Sequence, residues 1–106
     1  MSNSLIYNNT SNYYHKLIES LQDREEAMAY LEVALEEYEL DGDTNAFMLA
    51  LKHVVEAYGG IGWLAQETGL DRVHLYRVLS SKGNPRFFTL DRILKALGFR
   101  LSIATS

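Results

Sequence analysis

The sequence predicts an all-α fold, a five-helix-type bundle with one short strand at its C-terminal end. Three observations predict it. Apolar residues recur at three- and four-residue spacings through most of the chain, the period of amphipathic helices. Gly, Asp and a single Pro punctuate these runs at intervals that suit short helices. Only the last stretch, where Phe99, Leu101 and Ile103 alternate with Arg100 and Ser102, has the two-residue period of a strand.

Taken in order, residues 1–20 read as an N-terminal arm, partly ordered. The first twelve are polar and rich in Asn and Ser, while Tyr13, Tyr14, Leu17, Ile18 and Leu21 have the spacing of a short amphipathic helix. Residues 21–106 read as a single helical domain. Asp23 starts a firmer helix whose apolar stripe is Ala27, Leu31, Ala34, Leu35 and Tyr38, with Glu32, Glu36, Glu37 and Glu39 elsewhere on the cylinder. Asp41, Gly42 and Asp43 interrupt it, and Asp43 or Thr44 caps the next helix. That helix carries Phe47, Leu51, Val54, Val55 and Tyr58 and ends at Gly59 and Gly60. A short helix from about Ile61 to Thr68 follows. Gly69 breaks it, and Asp71 caps another running to about Ser80, with Leu75, Val78 and Leu79 inward. Pro85 prevents continuation. A last helix from about Thr89 to Leu97 buries Leu90, Ile93, Leu94 and Leu97. The closing strand needs a partner, and a second copy of the chain is the natural one.

With 106 residues, 47% of them hydrophobic and 23% charged, the chain fits one soluble domain and excludes wholesale disorder. There is no Cys, which excludes disulfides, thiolate metal sites and Cys nucleophiles. The N-terminal residues lack the basic start and apolar run of a signal peptide, and no stretch has the length of a membrane span. A cytoplasmic location is expected. The formal charge of −4 hides an asymmetry: residues 1–43 carry two basic and ten acidic residues, and residues 44–106 carry eight basic and four acidic ones. Two surfaces with different partners would produce this pattern, one meeting phosphates and one repelling them. A solvated helix face would also account for the acidic run.

The informative stretch is Ile61 to Pro85, IGWLAQETGLDRVHLYRVLSSKGNP. Two short helices crossing steeply need a small residue on the first and a Gly in the turn, where the backbone is left-handed. Ala65 and Gly69, four apart, meet both needs, and Leu64, Leu70, Leu75 and Val78 supply the apolar contacts. A helix-turn-helix over about residues 61–80 is the resulting expectation.

The run LAQETGLDRVHLYRVLSSKGNP resembles the helix-turn-helix of the Cro and lambda-repressor class. Extended through RFFTLDRILKALGFRLSI, and upstream into AMAYLEVALEE and TNAFMLALKHVVEAYGG, it is similar to the probable addiction-module antidote family over about residues 20–104. The resemblance implies a lambda-repressor-like fold and an antitoxin of a type II toxin–antitoxin module. Such a protein represses its own operon through sequence-specific DNA binding. It also neutralises a small RelE/HigB-like ribonuclease toxin, commonly basic. One departure is that Val73 and His74 stand where the class often has polar or small residues, which bears on base preference and not on fold.

On the second helix of the motif, Arg72, Val73, Tyr76 and Arg77 are the candidates for reading bases. Helix N-terminal residues reach base edges in this docking mode. Arg72 or Arg77 bonding a guanine in bidentate fashion would contribute about 1–3 kcal/mol of discrimination. Val73 suits a thymine methyl, and Tyr76 a phosphate or base edge. Ser81, Lys82, Gly83 and Asn84, with Arg86, are the candidates for phosphate contact, which positions without specifying. An ordinary solvated surface is the competing reading for these cations, and the favoured one for Arg92, Lys95 and Arg100. In the acidic region, Tyr30, Glu36, Glu37 and Tyr38 are the candidate toxin contacts. A homodimer on double-stranded operator DNA is expected. The competing functional readings are a Cro-like repressor without a toxin partner and an interaction protein that no longer binds DNA.

Other patterns carry no chemistry. Asp41, Asp43 and Asn45 imitate the start of a calcium loop, but Ala46 replaces the turn Gly and Lys52 the closing Glu. Gly59, Gly60 and Gly62 lack the Lys-Ser/Thr of a phosphate loop. His15, His53 and His74 have no ligand spacing. Adjacent Glu36 and Glu37 diverge on a helix and make a poor acid/base pair. Trp63 reads as a packed aromatic. No cofactor, metal or enzymatic activity is expected.

Overall fold

The computed structural model describes residues 12–80 and 84–106. Among them the chain forms six helices: α1 (12–20), α2 (Arg24–Asp41), α3 (Asn45–Tyr58), α4 (Gly60–Thr68), α5 (Arg72–Leu79) and α6 (Phe87–Ala96). The all-α expectation holds, with one helix more than the five-helix bundle because the second half of the arm is itself helical. Residues 1–11 of the arm lie outside the described residues. So do Ser81, Lys82 and Gly83, three of the candidate phosphate contacts.

Capping chemistry sets most of the boundaries. The Asp23 carboxylate accepts hydrogen bonds from the main-chain N–H groups of Glu25 (2.9 Å) and Glu26 (3.3 Å), starting α2 where expected. Gly42, at φ 72°, closes it by donating its N–H to the Tyr38 carbonyl. Before α3, Asp43 accepts from the Asn45 N–H at 2.9 Å while Thr44 makes no side-chain cap. At the end of α3, Gly59 has φ 147°, and a Cβ there would stand 2.8 Å from Trp63 Cβ and Cγ. Trp63 packs against Tyr58, with centroids 6.3 Å apart. Helix α6 starts two residues earlier than expected, immediately after the extended Arg86.

Helix α3 is the hub, packed against α2, α4 and α5, while α4 also packs against α6. Leu51, Val54 and Val55 of α3 meet Leu64, Leu75 and Ile93, all fully buried. Burial of this apolar surface is the main favourable contribution, about 25 cal/mol per Å² removed from water. Leu21 closes the core beneath α1. The stripe expected on α2 is only partly inward. Ala27, Leu31 and Ala34 are buried, but Leu35 and Tyr38 remain about two-fifths exposed, because they lie toward the edge of the face covered by α3.

The expected C-terminal strand does not form. Residues 99–106 have no regular structure, since a strand needs a second extended segment to pair with and the described residues supply none. The start of the tail is anchored instead. The Phe99 N–H donates to the Leu94 carbonyl (2.8 Å), and its ring lies 6.4 Å from that of Tyr58. Ile103 is wholly exposed.

Candidate nucleic-acid interface

Helices α4 and α5 are joined by Gly69, Leu70 and Asp71 alone. Gly69 adopts φ 72° and donates its N–H to the Ala65 carbonyl (2.9 Å), the left-handed turn that the sequence required. Asp71 is extended (φ −66°, ψ 135°), and its carboxylate accepts from the His74 N–H at 3.1 Å. Leu75, Val78 and Leu79 anchor α5 to the core. The α4–turn–α5 geometry is compatible with a helix-turn-helix.

Anchoring three positions of an eight-residue helix forces the remainder outward. Arg72, Val73, Tyr76 and Arg77 are all exposed; Val73, Tyr76 and Arg77 share the outer side of α5, whereas Arg72, three residues before Leu75 and seven before Leu79, stands at its edge. Val73 and Tyr76 keep 58% and 57% of their surface, a large apolar exposure for so short a helix. The Arg72 guanidinium lies beside Gly62, where a Cβ would come within 3.4 Å of Nη2, so this side chain runs back along α4. Asn84 and Arg86 are exposed just before α6.

The cations set aside as ordinary surface are structural in two cases. Arg92 donates to the Thr68 carbonyl at the end of α4 and lies 5.5 Å above the Phe88 ring. Lys95 pairs with Asp91 one turn earlier, at 3.0 Å. Arg24, given no role by the sequence pattern, donates to the Gly98 carbonyl and lies 5.7 Å above the Phe99 ring. The Arg92 and Arg24 hydrogen bonds span 24 and 74 residues of chain, so no local periodicity marks them.

Acidic α2 packs against α3, and the outer side of α5 stays exposed. Of the candidate toxin contacts, Glu36, Glu37 and Tyr38 are exposed near its C-terminal end. Tyr30 instead is half-buried, its hydroxyl hydrogen-bonded to His53 Nδ1 of α3 at 2.8 Å. Among the described residues no group of His, Cys, Asp or Glu is placed to hold a metal ion, and no helix is long and apolar enough to cross a membrane.

A family model described as "Probable addiction module antidote protein" matches residues 12–105. The chain belongs to this antidote family. A curated relative, an uncharacterized protein of Haemophilus influenzae, is 31% identical over 88 residues, covering 83% of this chain and 86% of the relative. No solved structure matches the chain. Membership of an antidote family implies a toxin partner and a regulatory role.

Proposed function

We propose that this antidote-family protein is a sequence-specific DNA-binding repressor of its own toxin–antitoxin operon and that it also sequesters a RelE/HigB-like ribonuclease toxin. The observation that carries the DNA-binding half is the outer side of α5. Val73, Tyr76 and Arg77 project from it, with Arg72 at its edge beside Gly62 of α4, while Leu75, Val78 and Leu79 hold its back to the core. Val73 and Tyr76 give it an apolar contact surface suited to base edges and methyl groups. In a homodimer, two such helices would enter successive major grooves about 34–36 Å apart on a palindromic operator. Lys82 with Ser81, Gly83, Asn84 and Arg86 would meet the flanking phosphates. The acidic α2, packed against α3, would face a basic toxin.

Titration of the promoter-proximal DNA of the operon at several salt concentrations tests this reading. Each phosphate contact contributes about −0.9 to the slope of log affinity against log salt. A flat response would replace DNA binding by a pure interaction role, the reading that the overall charge of −4 keeps open. A salt-dependent, sequence-specific response without binding to the adjacent gene product would leave a Cro-like repressor that has no toxin partner.

A further inference from the structure

Helix α2 carries apolar residues on two opposite sides, and only one side faces the core. Ala27, Leu31 and Ala34 are buried where α2 packs on α3. Ala29 and Val33 each stand two residues beyond a buried position, and Leu40 stands nine beyond Leu31. At about 100° per residue, all three lie roughly half a turn round the helix from the core. They are exposed, Val33 keeping 55% of its surface and Leu40 88%. Separated by four and seven residues, they form one outward strip about 16 Å long at 1.5 Å per residue.

The border of this strip is purely acidic. Three and four residues from Ala29 stand Glu25, Glu26, Glu32 and Val33, while Glu36 and Glu37 lie between Val33 and Leu40 and flank both. Five of the seven carboxylates of α2 thus surround the strip, and all five are exposed. The one basic residue of the helix, Arg24, is engaged at the Gly98 carbonyl. Among the described residues no carboxylate of α2 is paired with a cation, the one ion pair being Lys95 with Asp91 of α6. Such a border repels nucleic acid and anionic lipid. A second copy meeting it through the same face would oppose two sets of carboxylates. The surface is also convex, a ridge and not a pocket, so its complement is a groove. A groove with an apolar floor and a cationic rim matches it in both shape and charge.

We propose that α2 is the toxin-binding ridge, its outer side laid as a helix into a basic-rimmed groove on the toxin, with Ala29, Val33 and Leu40 on the groove floor. The inference rests on the toxin-sequestering reading. It keeps Glu36 and Glu37 as contacts and removes the two tyrosines. Tyr30 is bonded to His53 of α3, and Tyr38, four residues after Ala34 and seven after Leu31, stands on the core side of the helix.

The test uses the full chain and the product of the adjacent gene. Val33→Gln combined with Leu40→Gln removes the apolar strip without changing charge. It alters only exposed side chains, and retained helical circular dichroism and thermal transition show that the bundle is intact. The expected result is a loss of about tenfold or more in affinity for the gene product, with operator affinity unchanged. Glu36→Gln with Glu37→Gln probes the border, and should slow association and reduce the salt dependence of binding. Met28→Gln with Leu35→Gln, exposed on a different line of α2, should leave binding as it was. Unchanged affinity in the Val33/Leu40 variant, unchanged salt dependence in the Glu36/Glu37 variant, or a loss confined to the Met28/Leu35 variant would overturn the ridge while leaving toxin sequestration intact. A Val33/Leu40 variant that loses self-association yet still holds the gene product would assign the strip to a second copy and overturn it too. A wild-type chain that does not bind the gene product at all would remove the toxin reading itself, and this inference with it.

Discussion

The Arg92 guanidinium donates a hydrogen bond to the main-chain carbonyl of Thr68, one residue before the left-handed turn at Gly69. Thr68 is itself buried. Its hydroxyl donates to the Leu64 carbonyl (2.7 Å) and accepts from the Leu70 N–H (3.2 Å). The last carbonyls of a helix have no intrahelical partner, and a cation placed there also meets the negative end of the helix dipole. Helix α6 thus fixes the end of α4, and through it the direction in which the turn launches α5.

Arg92→Ala should therefore destabilise the domain by about 1–2 kcal/mol, toward the low end for a hydrogen bond from a charged donor because the side chain is exposed. Urea unfolding measures the loss. Because Arg92 is placed as a strut and not as a DNA contact, operator affinity corrected for the folded fraction should be unchanged. A drop in affinity with a smaller salt slope would instead make Arg92 a phosphate contact.

Gly98 is the counterpart at the other end of α6. It adopts φ 88°, and a Cβ there would stand 2.6 Å from Arg24 Nη2. Gly98→Ala combines a left-handed backbone that an L-residue resists with displacement of the guanidinium, so it should cost more than about 1 kcal/mol. In an Arg24→Ala background the steric part vanishes, and the same substitution should cost measurably less. Equal costs in the two backgrounds would show that Arg24 does not hold the tail.

Stability should also fall as the solution is acidified below neutrality, and His53 should be a cause. Burial first, and the adjacent Lys52 second, hold the His53 imidazole below its ordinary pKa of 6.5. Tyr30 from α2 bonds its Nδ1, and Tyr14 from α1 packs edge-on at 5.9 Å. A depressed basic group binds fewer protons folded than unfolded, so its contribution is complete above pH 6.5 and is lost as pH falls through the folded-state value. Glu56, pushed above its ordinary 4.5 by burial, acts in the opposite sense. His53→Gln should therefore flatten the wild-type decline just below pH 6.5, as read from thermal midpoints. An unchanged pH profile would remove His53 as its source.

Much of this arrangement was legible in the chain, because short-range rules govern it. Asp23, Asp71, Gly42 and Gly69 end or start helices through contacts within four residues, and their roles could be read directly. The outward positions of Val73, Tyr76 and Arg77 followed from the inward set by helical geometry alone, whereas the path of Arg72 back along α4 did not. Long-range relations were not legible. Nothing local distinguishes Arg92 and Arg24, which tie helix ends, from Arg77, which projects outward from α5. The alternation of Phe99, Leu101 and Ile103 read as a strand, yet it reflects one anchored ring followed by residues that are partly or fully exposed. Likewise Leu35 and Tyr38 fit the α2 stripe by period, but how far α3 reaches along α2 decides what is covered.

The division between reading and positioning on DNA gives the last prediction. Arg77 projects from the last turn of α5 on its outer side, where it would meet a base edge. Arg77→Ala should weaken operator binding by about 1–3 kcal/mol and relax the preference at one position in each half-site. Selection of binding sequences from a random pool measures the preference, and an unchanged consensus would remove Arg77 from the readout. Lys82→Ala should behave differently. It should weaken all duplexes alike and reduce the magnitude of the salt slope by about 0.9 for each phosphate that Lys82 no longer neutralises, twice that if both protomers of a dimer contribute. Because phosphate contacts carry no sequence information, a weakened preference for a particular base in the Lys82 variant would place the loop in the groove and not on the backbone.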